Sequence, residues 1–233
     1  MTVLALALIV RHLHFFVIIS DQPPPPRVQI ETRQFYTYGD AMRVTAYDEG
    51  GRRLLRTTVE LGATLDRVLP GAGGGLYLVQ ADPGMNGAIF NCDCPWGMMA
   101  SNTHRAGVNG SGPTLYFYVP PDCAEFTLGA QSNSPNEGAR LAVLKPDGPE
   151  ASVLDGELDR EETVKVQVPP EARDKIWSLQ WGKSQTTPAG LDDLNFWVEG
   201  RLTPLFFPQR EWAEKHGKTL WERDKEARVK DGQ

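Results

Sequence analysis

Met42-Arg43-Val44-Thr45-Ala46-Tyr47-Asp48-Glu49-Gly50-Gly51 and Ala139-Arg140-Leu141-Ala142-Val143-Leu144-Lys145-Pro146-Asp147-Gly148 lie 97 residues apart, and each runs as an apolar-rich strand into a tight turn. Internal repetition is the first thing to seek in a chain, because missing it misreads the whole fold. The match extends downstream. Val68-Leu69-Pro70 followed by Gly75-Leu76-Tyr77-Leu78-Val79 answers Gln167-Val168-Pro169 followed by Lys175-Ile176-Trp177-Ser178-Leu179, with proline-to-aromatic spacings of seven and eight. Upstream, Phe117-Tyr118-Val119-Pro120-Pro121 and Phe126-Thr127-Leu128 answer Val17-Ile18-Ile19, the run Pro23 to Pro26, and Val28-Gln29-Ile30. This last match makes Leu13 to Ile19, rich in aromatic and β-branched residues, a strand.

The expected fold is therefore all-β: two tandem antiparallel β-sandwiches of jelly-roll type, each of about 90 to 100 residues. The first would span 13–110 and the second 111–205, with the boundary in the loop Gly107 to Pro113. Composition agrees, because 23 Gly and 18 Pro in 233 residues favour short strands joined by tight turns over long helices. In Lys145-Pro146-Asp147-Gly148, proline is pre-set for the second turn position and glycine can take positive φ, which predicts a hairpin. The glycine run Gly71 to Gly75 precedes a strand and is expected to be another hairpin connection. Residues 206–233 change character. Pro208 suits a first helical turn, and Gln209 to Lys230 is dense in helix formers, so a helical tail is expected, interrupted at Gly217.

At the N-terminus, residues 1–12 are set apart as a leader or disordered segment. Met1 to Val10 has the apolar character of a secretory signal, but no basic residue precedes it and no small-x-small cleavage site follows. A membrane span is not expected, since Arg11 would interrupt the roughly 20 apolar residues that a bilayer requires.

Charge excludes one broad class. Residues 1–120 hold nine Arg and no Lys against nine acidic residues, and the whole chain carries a net −6. A nucleic-acid surface needs a basic stripe able to displace counterions, so DNA or RNA is not an expected partner. Catalytic signatures are missing too. His12, His14, His104 and His216 sit in no nucleophile–base context, Gly110-Ser111-Gly112 lacks the G-x-S-x-G elbow, and Gly182-Lys183-Ser184 lacks the upstream glycine of a phosphate loop. The chain is not expected to be an enzyme.

Metal and thiol chemistry stay open. Cys92-Asp93-Cys94 is C-x-C, not the C-x₂₋₄-C of structural zinc. Cys123 could pair with Cys92 or Cys94, or all three could be free. No cofactor is expected beyond a structural calcium, for which Asp82-Pro83-Gly84-Met85-Asn86 or Asp192-Asp193 offers hard oxygen ligands. Asp155, Glu157, Asp159, Glu161 and Glu162 alternate through what reads as a solvated hairpin.

The aromatic residues suggest a ligand site. In Leu115 to Val119, a period of two puts Leu115, Phe117 and Val119 on one face and Tyr116 and Tyr118 on the other. In Leu194 to Glu199, Trp197 falls on the polar face between Asn195 and Glu199. Trp177, Leu179 and Trp181 share a core face. An outward Trp197 with Tyr116 and Tyr118 would stack a sugar ring while Asn195 and Glu199 bond its hydroxyls. The alternative is that the tail covers this patch with Phe206, Phe207, Trp212 or Trp221.

Leu115-Tyr116-Phe117-Tyr118-Val119-Pro120, Phe126-Thr127-Leu128, Ala139 to Gly148, Ile176 to Leu179 and Phe196-Trp197-Val198 resemble the jelly-roll accessory domains, of pre-peptidase C-terminal or carbohydrate-binding type, appended to secreted bacterial hydrolases. The likeness covers about 90 residues directly and the first half through the repeat. It implies an extracytoplasmic, non-catalytic module whose partner is a glycan or a neighbouring catalytic domain. A purely structural bracing domain is the second expectation, and a small carbohydrate-active hydrolase or lyase the third.

Overall fold

The computed structural model describes residues 7–230. Their strands, in order, are β1 Ile9–Arg11, β2 His14–Ser20, β3 Arg27–Arg33, β4 Met42–Asp48, β5 Arg53–Val59, β6 Thr64–Val68, β7 Gly75–Asp82, β8 Gly87–Cys92 and β9 Trp96–Met99. Then come β10 Ala106–Asn109, β11 Leu115–Val119, β12 Glu125–Gln131, β13 Gly138–Leu144, β14 Glu150–Glu157, β15 Glu162–Gln167, β16 Lys175–Lys183, β17 Asp193–Gly200 and β18 Leu205–Phe206, followed by one long helix, α1, at Arg210–Lys230. No described helix is long and apolar enough to cross a membrane.

The strands form three open antiparallel sheets: eight strands in the order β15-β12-β17-β10-β1-β8-β3-β6, four in the order β11-β16-β13-β14, and six in the order β18-β9-β2-β7-β4-β5. The repeat seen in the sequence recurs in this order. Raising each label of β1-β8-β3-β6 by nine gives β10-β17-β12-β15, and raising β2-β7-β4-β5 by nine gives β11-β16-β13-β14. The two quoted stretches are β4 and β13, and each closes a hairpin with the next strand. In the second, Gly148 at φ +102° donates to the Lys145 carbonyl at 2.9 Å. Gly51 at φ +78° donates to the Asp48 carbonyl at 2.9 Å in the first.

Alternation sets which faces meet. Val28 and Ile30 of β3 are buried while Arg27 and Gln29 are exposed. The six-stranded sheet packs on the eight-stranded one through Phe16 of β2 against Phe90 of β8, with parallel rings 4.1 Å apart. The four-stranded sheet packs on it through Phe117 against Phe126 at 5.7 Å and Trp181 against Phe196 at 6.0 Å. Such pairs add about 0.5–1.5 kcal/mol each beyond the area they bury. The two smaller sheets touch edge to edge, where Tyr116 and Phe207 exchange two backbone hydrogen bonds of 2.8 Å.

Several expectations are corrected. Ala106 to Asn109, placed partly in a linker, is strand β10, and a Cβ on Gly107 would come within 2.9 Å of the Arg11 carbonyl. The Gly71–Gly75 run and the acidic stretch from Asp155 to Glu162 are not hairpins. Each carries the chain from one sheet to another. Gly217 does not interrupt α1, because the helix needs a residue without a side chain there: a Cβ would lie 2.7 Å from that of Tyr118. Ile9 to Arg11, within the segment set apart as leader, forms β1, whereas Met1 to Leu6 lie outside the described residues.

Arg11 of β1 reaches past β10 to Asp193 of β17, Nη1 to Oδ2 at 2.5 Å, with both side chains about 95% buried. Its Nη2 donates to the Met85 carbonyl at 2.9 Å. Removing one member of a buried pair strands the other charge, at a cost of about 3–5 kcal/mol, whereas replacing both by apolar groups is often near neutral. Urea unfolding of Asp193→Ala should accordingly show a loss of about 3–5 kcal/mol, and Arg11→Met/Asp193→Leu a clearly smaller one.

Candidate functional site on the outer face of the six-stranded sheet

The sequence-chosen aromatics do not form one platform. Trp197 lies on the outer face of the eight-stranded sheet and is fully buried. Its cross-strand neighbour is Gly129, whose missing side chain leaves room for the indole: a Cβ there would sit 2.2 Å from Trp197 Cε2. The Arg105 guanidinium covers the other side of the ring, 3.7 Å from its centroid. Arg105 is itself held by Gln131, Asn102 and Glu161 at 3.2, 3.0 and 2.7 Å. Glu199 accepts the Trp197 indole N–H at 3.1 Å, and Asn195 donates to Asn133 at 2.5 Å. The group is a sealed arginine–indole sandwich.

Tyr116 and Tyr118 lie on a different sheet, on the face that carries α1. Tyr118 is buried against the helix, 6.1 Å from the Trp221 ring, and its hydroxyl donates to Asp174 at 2.5 Å. Burial, and then Asp174, raise its pKa above the usual phenol range. The tail thus covers the tyrosines, as the alternative reading had it, but a loop arginine covers the tryptophan.

An open face exists elsewhere. On β4 the alternation that buries Met42, Val44 and Ala46 turns Arg43, Thr45 and Tyr47 outward. Register then lays out three rows. Tyr47 is flanked by Arg53 of β5 and Leu78 of β7, and Leu78 by Val17 of β2. Thr45 is flanked by Arg56 and Gln80, and Gln80 by Phe15. Arg43 is flanked by Thr58 and Asp82. Adjacent rows are about 7 Å apart and adjacent strands about 4.8 Å. Together the rows line a hollow of about 700 Å³ that adjoins one of about 500 Å³, with Tyr47 and Gln80 common to both. His104 leans edge-on over Phe15, centroids 4.4 Å apart, at one border.

These residues were missed although Met42 to Gly51 decided the fold. The alternation that placed its apolar face inward also placed Arg43, Thr45 and Tyr47 together, and that polar side of the repeat was the available signal.

The carboxylates suggested for calcium are engaged. Asp82 accepts from Arg43 at 2.5 Å and from the Gly84 amide, Asp192 from Asn109 and Tyr36, and Asp193 from Arg11. Asn86 spends its amide on the Tyr38 and Asp40 carbonyls. Among the described residues, three ligand-type side chains converge at Cys92, Asp93 and Cys94, within 4.8 Å of one another. Burial pushes the Cys92 thiol up to about 12. All three cysteines are free, and Cys123 is buried in the β11–β12 turn.

Nor do the histidines form a catalytic set. His14 is fully buried, its Nε2 bonds the Arg11 carbonyl at 2.8 Å, and its Nδ1 has no partner. Burial lowers its pKa to about 4. Burial likewise lowers His12 and His216.

No protein-family model matches the chain, and no curated protein matches it.

Two outcomes follow. Trp197→Ala should cost about 3–5 kcal/mol in urea unfolding, because the indole fills a site closed on both sides; a loss under about 1 kcal/mol would show that the sandwich holds nothing. His14, neutral when folded, stabilises fully above its unfolded pKa near 6.5, and this contribution is lost as pH falls toward about 4, because the unfolded chain then binds the extra proton. Between pH 7 and pH 4.5 the wild type should therefore lose about 2–3 kcal/mol more than His14→Phe in parallel denaturant titrations.

Proposed function

We propose that the chain is a carbohydrate-binding accessory module made of two tandem jelly-roll sandwiches, with the glycan lying across the outer face of the six-stranded sheet. Under this reading the first sandwich comprises β1 to β9 and the second β10 to β18, so the second begins at Ala106 and not after Gly110. The strand order that repeats with every label raised by nine supports the pairing. An extracytoplasmic setting in bacteria goes with the resemblance of Leu115 to Pro120 and its neighbours to accessory domains of secreted hydrolases.

One observation carries the binding reading: beyond the strip of β2 and β7 where Val17, Ile19 and Leu76 join the apolar cluster of α1, the β4–β5 side of this face presents a half-buried tyrosine amid arginine, glutamine and threonine side chains in a hollow of about 700 Å³. A tyrosine ring stacks on the apolar face of a sugar, and a few convergent polar groups fix its hydroxyls. The corresponding face of the four-stranded sheet bears α1 against β11 and β16. Binding is thus assigned to one half and bracing to the other.

Tyr47→Ala should weaken retention of whichever oligosaccharide the wild type binds on a glycan array by roughly tenfold or more, the worth of one aromatic contact, with an unchanged urea midpoint. Trp197→Phe should leave retention as it is. If the wild type retains no glycan, bracing is the remaining role, and turnover of a bound polysaccharide would make the face catalytic.

A further inference from the structure

We infer that the glycan held on this face is anionic, its carboxylate or sulfate groups taken by Arg53 and Arg56. This rests on the carbohydrate reading of the same face and goes further by naming the ligand's charge class.

The argument is a charge count within the hollow. Each acidic side chain at its border already has a cation: Asp82 pairs with Arg43 at 2.5 Å, Asp48 with Arg52 at 2.9 Å, and Glu49 with Arg223 of α1. The guanidinium groups of Arg53 and Arg56, which line the same hollow, have no hydrogen-bond or ion-pair partner among the described residues. Two guanidinium groups are therefore left uncompensated on one face of a chain whose net charge is −6. They stand at the ends of the two rows that hold the aromatic and amide groups, Arg53 beside Tyr47 and Arg56 beside Thr45 and then Gln80. A sugar stacked on Tyr47 thus has a cation within one strand spacing, about 4.8 Å, of the ring.

Arginine in particular suits this role. Its planar fork meets a carboxylate or sulfate with two parallel hydrogen bonds, which the point charge of lysine cannot do. The simpler role for charge on β5 is protection of an edge strand, since β5 ends the six-stranded sheet. That duty falls to any charge pointing past the edge, lysine above all, whereas these two arginines line the hollow on the face. A phosphodiester backbone would also meet arginine, but two free cations make no stripe for counterion release.

The experiment exposes the full chain to an array of neutral oligosaccharides, polyuronates such as polygalacturonate and alginate, sulfated chains such as chondroitin sulfate, and single-stranded RNA, at low and high salt. Retention of polyuronate, sulfated glycan or both, above neutral sugars and weakened by salt, is expected, and the arm that binds identifies the source of the anion. Arg53→Gln/Arg56→Gln should lose roughly tenfold to a hundredfold of that affinity, and Arg53→Lys/Arg56→Lys should recover part of it, with unfolding midpoints unchanged throughout. Equal retention of neutral glycans, untouched by the glutamine double variant, overturns the inference and leaves the carbohydrate reading standing. Retention of no glycan overturns both, and preference for RNA overturns both in favour of a nucleic-acid surface.

Discussion

The placement of β1 governs the rest of the molecule. Three residues long, it pairs antiparallel with β8 on one side and β10 on the other, Val10 opposite Ala88 and Val108. Without it the eight-stranded sheet would fall into a four-stranded piece, β15-β12-β17-β10, and a three-stranded one, β8-β3-β6. So short a strand has few ladder hydrogen bonds, and Arg11 supplies the fastening by crossing β10 to Asp193. The surrounding groups complete the desolvation: Phe35 covers the guanidinium at 5.2 Å, and the Asn133 amide donates to Asp193 at 3.2 Å. A buried pair of this kind contributes less to net stability than to specificity, because any other seating of β1 would leave one charge unpaired away from water. The same closure shields the Arg11–Asp193 pair from solvent.

The strands were legible because period-two alternation and turn chemistry are local. Val28-Gln29-Ile30, the tyrosines opposite Leu115 and Phe117, and the Lys145–Gly148 turn all behave as their own residues dictate. What alternation does not contain is the identity of whatever covers an outward face. Trp197 does point away from the core, yet Arg105, 92 positions earlier, lies over it, and Gly129 makes the bed beneath it. Nothing in Leu194 to Glu199 encodes either neighbour. Gly217 misled for a related reason: helix propensity penalises it by about 1 kcal/mol, but close packing on Tyr118 admits nothing larger.

Connections between sheets were the other hidden feature. A glycine run before a strand, or an acidic run between two strands, looks the same whether the chain turns back into the same sheet or crosses to the facing one. Only the partners decide, and β6–β7 and β14–β15 take partners in different sheets. Asp155 shows the difference physically. It accepts from the Ser184 hydroxyl at 2.6 Å and the Gln185 amide at 3.0 Å, tying a loop in place instead of standing in water. These bonds, with Arg140 nearby, hold its carboxyl below the usual range although burial alone would raise it.

The covered and the open face differ in a way that bears on function. Where α1 lies, it straddles the seam of the two smaller sheets: Tyr118 and Ile176 of the four-stranded sheet, Ile19 and Leu205 of the six-stranded one, and Phe207 form an apolar cluster with Ala213, Leu220 and Trp221, and Val17 and Leu76 pack against it. On the open side the outward residues of β4 and β5 are arginine, threonine and tyrosine, and no such cluster forms. Leaving the apolar face bare would expose hydrophobic surface, so the helix there answers a packing need. The polar face has no such need and stays accessible. Its groups stand on paired strands, and their spacing is set by backbone register, so a ligand of the proposed kind would meet side chains whose scaffold is already ordered. Rigid positioning of this kind reduces the ordering penalty on association, and under the proposed binding role it would favour an extended, repeating ligand that can contact several rows at once over a compact one that touches a single row.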